Sequence, residues 1–367
     1  MTYSPAIPNR FDENLIPVKI RESYFEEYIG LTPLTSFMGT SPQSAIQVFE
    51  IKSGEGTSYR VSSRNELDYE NPIMGFNQAS GAEQQVEILY DEIRIDLRRF
   101  VDQLMGTTLV KQMTPIDVYN TLRPLLLNVT RRNLVKSMLD AATIDLYIPA
   151  VNGPSENRCV YAGAKHSAKI TEAVKDMTGA TPDKNGLSVD HIRELKRLAV
   201  SGGTKYEIEA KIRPVEIKTK KGFPEELYVY LIDTNSYQSL VKDPAWDKFV
   251  YRGVIQGDNQ PEGLSGARYR GMVEGVMIYE CPELARYRVK GSTGNNIASW
   301  NLFLGAQALG IVWAKRPWFE MEHRDFNLNV AMAVCEMRGQ KALCFASRQD
   351  KNKVIEKGLI HSFVQIA

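Results

Sequence analysis

Residues 114–146 read TPIDVYNTLRPLLLNVTRRNLVKSMLDAATIDL, and this stretch decides how the rest of the chain is read. Thr114 is a favoured helix N-cap, Pro115 suits the first helical position, and Asp117 puts a carboxylate in the first turn, where the helix dipole favours it. Val118, Leu122, Leu125 and Val129 then recur at helical spacing, and Leu126, Leu134, Met138 and Leu139 continue and widen the stripe. Asn120, Arg123, Arg131, Arg132 and Lys136 fall largely off it, which predicts one face for a core and one basic face. Such a helix spans about 45 Å, a beam that few compact enzymes need. Pro124 removes a backbone donor inside it and predicts a kink near Thr121.

Immediately upstream the charge is lopsided. Residues 65–97 carry eight acids (Glu66, Asp68, Glu70, Glu83, Glu87, Asp91, Glu92, Asp96) against Arg94 alone, net −7. Residues 98–136 carry seven bases (Arg98, Arg99, Lys111, Arg123, Arg131, Arg132, Lys136) against Asp102 and Asp117, net +5. Two solvated surfaces explain this, and so does an acidic loop lying on a basic beam. Within 48–97, residues 48–51, the turn Ser53-Gly54-Glu55-Gly56 and residues 59–61 predict strand, turn and strand. Residues 86–97 alternate through Val86, Ile88, Ile93, Ile95 and Leu97, which predicts one strand. Between them, residues 62–82 contain Pro72, Gly75 and Gly81 without periodicity, and a long irregular excursion is usually functional or disordered. Residues 1–47 carry Pro5, Pro8, Pro17, Pro33 and Pro42 among the aromatics Tyr24, Phe25, Tyr28 and Phe37. That is an arm with room for one short helix near 21–29.

Downstream of a loop-rich segment at 149–184, Ser188 caps a predicted helix with Ile192, Leu195, Leu198 and Ala199 on its apolar face, stopped at Gly202-Gly203. Residues 205–218 alternate, and Pro214 shifts the phase, as at an edge strand or bulge. The continuous apolar run 227–232 predicts a buried central strand. Thr234 or Asn235 is set to cap a short helix through Val241. Residues 272–279 read as a strand interrupted at Gly275, 302–304 as a strand followed by a small-residue helix over 305–310, and 319–323 as a short strand. A hairpin of 327–337 with 341–345 is predicted around Arg338-Gly339-Gln340. Across it Cys335 and Cys344 face each other as two small buried hydrophobes.

The 367 residues are 43% hydrophobic, enough to fill a core, and the net charge of +1 with a pI near 7.6 sets up no global field for nucleic acid or a membrane surface. Four separated cysteines (Cys159, Cys281, Cys335, Cys344) read as free thiols in a reducing compartment. With no leader pattern and no run of eighteen apolar residues, the chain reads as soluble and kept inside a cell. Phosphate-loop, dinucleotide and zinc-helix motifs are missing, and Ala267 stands where the last glycine of a nucleophile elbow belongs. Only His323, beside Glu322 and Asp325, has close acidic company.

Arm, acidic loop, long helix, mixed middle and final strands follow one another in a familiar order. On Gly54-Glu55-Gly56, Ile93-Arg94-Ile95-Asp96, Leu231-Ile232-Asp233 with Asp243-Pro244-Ala245-Trp246, Gly271-Met272-Val273-Glu274-Gly275-Val276, Leu304-Gly305-Ala306-Gln307-Ala308-Leu309 and Arg338-Gly339-Gln340-Lys341, the chain resembles the major capsid proteins of tailed bacteriophages. Within them it is closest to the family typified by coliphage N-four. The resemblance implies an α+β chain with the Hong Kong 97-type fold: an N-terminal arm (1–47), an extended β-hairpin loop (48–97), a peripheral domain with a spine helix (98–150), a mixed axial domain (151–314), and return strands with a C-terminal tail (315–367).

It implies further a shell protein that self-assembles into hexamers and pentamers of an icosahedral head around double-stranded DNA, with no catalytic residue, cofactor or metal. Its partners would be further copies of itself, scaffold, decoration and portal proteins, and non-specifically contacted DNA, with no membrane; its place would be the virion, assembled in the host cytoplasm. In some relatives a loop lysine crosslinks to another subunit; Lys52 is the only lysine of that region here and stands in the turn. The acids Glu66, Asp68 and Glu70 against Arg123, Arg131 and Arg132 of a neighbour form the expected inter-subunit contact. The competing readings are a hydrolase using carboxylates near His323, and another structural part of a virion.

Overall fold

The computed structural model describes residues 34–52, 54, 56–64, 88–104, 118–147, 159–162, 186–201, 212–218, 224–248, 268–290, 296–324, 329–346, 354–356 and 358–366. In chain order these form β1 (Met38–Gly39), β2 (Ile46–Glu50), β3 (Ser58–Arg64), β4 (Ile88–Arg94), β5 (Asp96–Leu104), the long helix α1 (Val118–Tyr147), β6 (Cys159–Tyr161) and α2 (Val189–Ser201). There follow β7 (Val215–Lys218), β8 (Pro224–Ile232), α3 (Thr234–Val241), β9 (Tyr269–Val273), β10 (Val276–Glu280), a 3-10 turn (Pro282–Tyr287), β11 (Val289–Lys290) and β12 (Asn296–Leu304). The last elements are β13 (Leu309–Arg324), β14 (Asn329–Ala342), β15 (Phe345–Ala346), β16 (Val354–Glu356) and β17 (Leu359–Gln365).

Three sheets organise them. The first runs β1-β2-β13-β14-β5 and carries α1 against one face. The second runs β6-β17-β12-β8-β10-β9, with β7 also on β8 and β11 on β12. The third, β16-β15-β4-β3, holds the base of the long hairpin. β4 passes into β5 across the single residue Ile95, whose N–H donates to the Thr57 carbonyl at 2.9 Å. One extended stretch therefore serves the hairpin sheet first and the helix-backed sheet second.

The local patterns at 188–201 and 227–232 behave as read. Ser188 Oγ accepts from the His191 N–H at 3.3 Å, and Ile192, Leu195, Leu198 and Ala199 are fully buried. β8 sits between β12 and β10, and Leu227 to Ile232 are all buried.

Other expectations are corrected. α3 is capped by Asp233, whose carboxylate accepts from Thr234 N at 2.8 Å, rather than by Thr234 or Asn235. The single strand over 272–279 is the hairpin β9–β10; Glu274 and Gly275, at φ 48° and 85°, supply the two left-handed residues of its turn. The single strand over 86–97 is β4 and β5 in two sheets. Likewise β2 joins β13 while β3 pairs with β4, so the strands flanking Gly54 are not partners.

No helix forms over 305–310, because its N–H groups are spoken for elsewhere. Gly305 donates to Gly358 O, Ala306 to Arg213 O and Gln307 to Ser44 O, at 2.7–2.9 Å. The hairpin around Arg338-Gly339-Gln340 does not exist either: all three lie inside the fourteen-residue β14, paired along β13. Gly339 is there for closeness, since a Cβ would land on the Arg94 carbonyl oxygen. Cys335 consequently stands opposite Trp318 and Arg99, not Cys344, and all four cysteines are free thiols. The last strand, β17, belongs to the interior of the second sheet, between β12 and β6.

Candidate inter-subunit surface

α1 has apolar residues on nearly every side, and two elements compete to cover them. The structure buries Leu126, Leu127, Leu134, Val135, Met138, Leu139 and Ala142 in the main core, beside residues of both large sheets such as Met332, Val334, Trp300 and Leu302. Two hydroxyls share that face and are satisfied by the helix itself: Thr130 Oγ1 donates to the carbonyls of Leu126 and Leu127 (3.0 and 2.9 Å), and Ser137 Oγ to Leu134 O (2.9 Å). Leu126, Leu134, Met138 and Leu139 are thus buried as expected, and the stripe differs at its start, where Leu127 is covered in place of Leu125 and Val129. Leu125 and Val129 point outward, 53% and 48% exposed. With Asn128, Arg132 and Lys136, also exposed, they make an outer stripe that is apolar toward the N-terminal end and basic toward the middle of the helix. Thr114, Pro115 and Asp117 lie outside the described residues.

A fully buried arginine fixes α1 to the sheet. Arg338 on β14 donates through Nε to Glu336 at 2.7 Å, through Nη1 to Ser137 Oγ (2.8 Å) and Gln340 Oε1 (2.9 Å), and through Nη2 to Asn133 Oδ1 (2.8 Å). Its guanidinium also lies 5.9 Å from the centre of the Trp313 ring. Glu336 and Arg338 both have no exposure, so each charge depends on the other. Sequence reasoning missed this pair because Gly339 was read as a turn. Its trace is the alternation Val334, Glu336, Arg338, which puts two opposite charges on the face shared with buried Val334.

On the opposite side of this sheet Leu97 and Val101 of β5 are exposed, at 46% and 62%. The other polar node lies in the second sheet. Asp233, wholly buried, accepts from Arg288 at 2.7 and 3.0 Å and from Ser299 Oγ at 3.0 Å, while Tyr287 OH donates to Asp140 on α1 at 2.6 Å.

Of the expected contact residues, Arg131 is half-buried and Arg132 exposed on α1. Arg123 lies in α1 but its side chain is outside the described residues, as are Glu66, Asp68 and Glu70 altogether. The hairpin that leads to those acids is in place: β3 and β4 pair from Ser58↔Arg94 to Arg64↔Ile88. Near the alternative site, His323 pairs with Val330 in the strand ladder and Glu322 is exposed; Asp325 lies outside the described residues.

A long helix on a sheet, an extended hairpin rooted beside it and a second mixed sheet form one arrangement, and residues 14–361 match the family described as Phage capsid protein. The chain belongs to that family. Its architecture is the Hong Kong 97-type fold. The capsid protein of Ralstonia phage GP4 is similar to it at 19% identity, covering 90% of each chain, with a TM-score of 0.67. The capsid of cyanophage Pam1 matches at 17% identity over 93% of each chain (TM-score 0.67), and the head of Helicobacter pylori bacteriophage KHP40 at 13% over 92% and 91% (TM-score 0.65). No curated protein sequence matches it. This capsid protein is thus the major shell subunit of a phage head.

Proposed function

We propose that this capsid protein assembles into hexamers and pentamers of an icosahedral head that encloses double-stranded DNA, without catalysis, cofactor or metal. In this reading residues 1–47 are the arm, 48–97 the loop that overlies a neighbour, 98–150 with 315–346 the peripheral domain, and 151–314 with β17 the axial domain. Scaffold, decoration and portal proteins are the further partners, DNA is contacted without sequence specificity, and assembly takes place in the host cytoplasm.

The observation that carries this reading is the outer stripe of α1. Two large aliphatic side chains about half exposed, beside an exposed arginine and lysine, suit a surface covered by another chain. Obligate interfaces of shell type bury upwards of about 2,000 Å². Glu66, Asp68 and Glu70 of one copy are the acids proposed to meet Arg123, Arg131 and Arg132 of the next.

Sedimentation and electron microscopy of the purified full chain test it. Closed particles are expected, and Arg131→Glu with Arg132→Glu should leave a folded subunit that assembles poorly until Glu66, Asp68 and Glu70 are changed to lysine. A wild-type chain that stays monomeric under all assembly conditions overturns the proposal.

A further inference from the structure

We infer that a cleft between the root of the hairpin and α1 receives a carboxylate side chain from a second copy of this chain. The inference rests on the assembly reading above and adds a receptor other than the Arg131–Arg132 face. The cleft, of about 320 Å³, lies where β4 turns into β5, with Arg94, Asp96 and Arg98 on one wall and Asn133 and Lys136 of α1 on the other. Gln340 of β14 closes it.

What makes it a receptor is the direction of its hydrogen bonds. Arg338, buried behind it, takes the side-chain oxygens of Asn133, Ser137 and Gln340. Arg98 donates to the same Asn133 oxygen at 3.1 Å. Asn133, with both lone pairs of its oxygen taken, has only its NH2 left to offer, and arginine and lysine can only donate. The cleft therefore presents donors on both walls. Among the described residues, Arg94 and Lys136 have no carboxylate within salt-bridge distance. Two acids share the cleft, Asp96 and Asp140, and Asp140 accepts the Tyr287 hydroxyl.

Donor-rich walls suit a single carboxylate. A DNA strand would bring phosphates against Asp96 and Asp140, and a volume at the lower end of small-molecule pockets fits side chains, not a backbone. The chain supplies the matching group: residues 65–87 hold five acids and no lysine or arginine. The hairpin ends that carry this tract, Arg64 and Ile88, lie about 20 Å along β4 from the cleft's Arg94.

The test uses the full chain. Arg94→Glu with Lys136→Glu, both exposed positions, should lower particle yield by roughly tenfold or more while the subunit's melting curve is kept, and one lysine substitution among the five acids should restore it. Zero-length carbodiimide crosslinking of particles grown from mixed light and heavy isotope-labelled chains should join Lys136 of one copy to an acid of 65–87 in another. Normal particles from the double variant overturn the inference, as does a Lys136 crosslink confined to one chain, or a variant whose particles form normally but hold less DNA. If the wild type makes no particles, the assembly reading itself fails; if Arg132→Glu disturbs assembly and the cleft variant does not, the cleft alone is wrong.

Discussion

Glu336 and Arg338, two residues apart on β14 and without any exposure, are joined at 2.7 Å and sealed between the sheet and the long helix. Removing Arg338 takes the charge partner at 2.7 Å from a carboxylate with no exposure. Arg338→Met is expected to destabilise the subunit by about 3–5 kcal/mol in urea unfolding, whereas Arg338→Met combined with Glu336→Leu should recover much of the loss. Equal losses in the two variants would mean that the Ser137, Asn133 and Gln340 contacts, and not the ion pair, hold α1 in place.

Gly339 allows β14 to touch the turn between the hairpin and the sheet. Gly339→Ala sets a methyl on the Arg94 carbonyl, which is backbone and cannot swing aside. A cost of about 3 kcal/mol is expected, at the upper end for overpacking, visible as a lower melting temperature of the unassembled subunit. Gly54→Ala meets open space but has φ near 98°, so its smaller effect should reflect backbone strain alone.

His191 on α2 is buried and contacts Ser362 Oγ at 2.8 Å, and Ser362 in turn contacts Tyr230 OH at 2.9 Å. Burial lowers its pKa to about 4, against a smaller upward pull from Glu194. The folded state therefore binds this proton less readily than the unfolded chain does. Stability from this group is complete above about pH 6.5 and falls as the pH drops toward 4, by about 3 kcal/mol in all. His191→Gln should flatten the subunit's stability profile over that window; an unchanged slope would remove the histidine from the account.

Asp233 caps α3 and holds Arg288 and Ser299 from a position with no exposure. Asp233→Ala leaves Arg288, only 18% exposed, without its counter-charge and should cost about 3–5 kcal/mol, most of it from the ion pair. Asp233→Asn keeps a capping oxygen, and the difference between the two variants in denaturant unfolding separates cap from charge.

Elements held by local pattern were legible in the sequence, as α2 and β8 illustrate: one has an apolar stripe with a serine cap, the other an unbroken apolar run. Elements decided by distant partners were not. Residues 305–310 look helical until Gly358, Arg213 and Ser44 claim their N–H groups. Gly339 looks like a turn until Arg94 is brought against it. In α1 the stripe through Leu126, Leu134, Met138 and Leu139 is legible, but Leu125, Leu126 and Leu127 fit several periodic faces equally well, and packing decides that Leu125 stays outside. The cleft was invisible for the same reason: Arg94 and Lys136 stand far apart in the chain and meet only through the pairing of β5 with β14. The acids expected to meet the long helix lie outside the described residues, and the charge count alone marks them.

The passage of β4 into β5 through Ile95 has a mechanical consequence. The hairpin strand and the outermost strand of the helix-backed sheet are one ribbon, gripped by β14 at nine successive positions from Asp96 to Leu104. A tug on the far loop, as when a filling container swells, arrives along the ribbon's length and loads those rungs together in shear, where a sideways pull would unzip them one by one. The hairpin is thereby anchored along the whole edge of the helix-backed sheet.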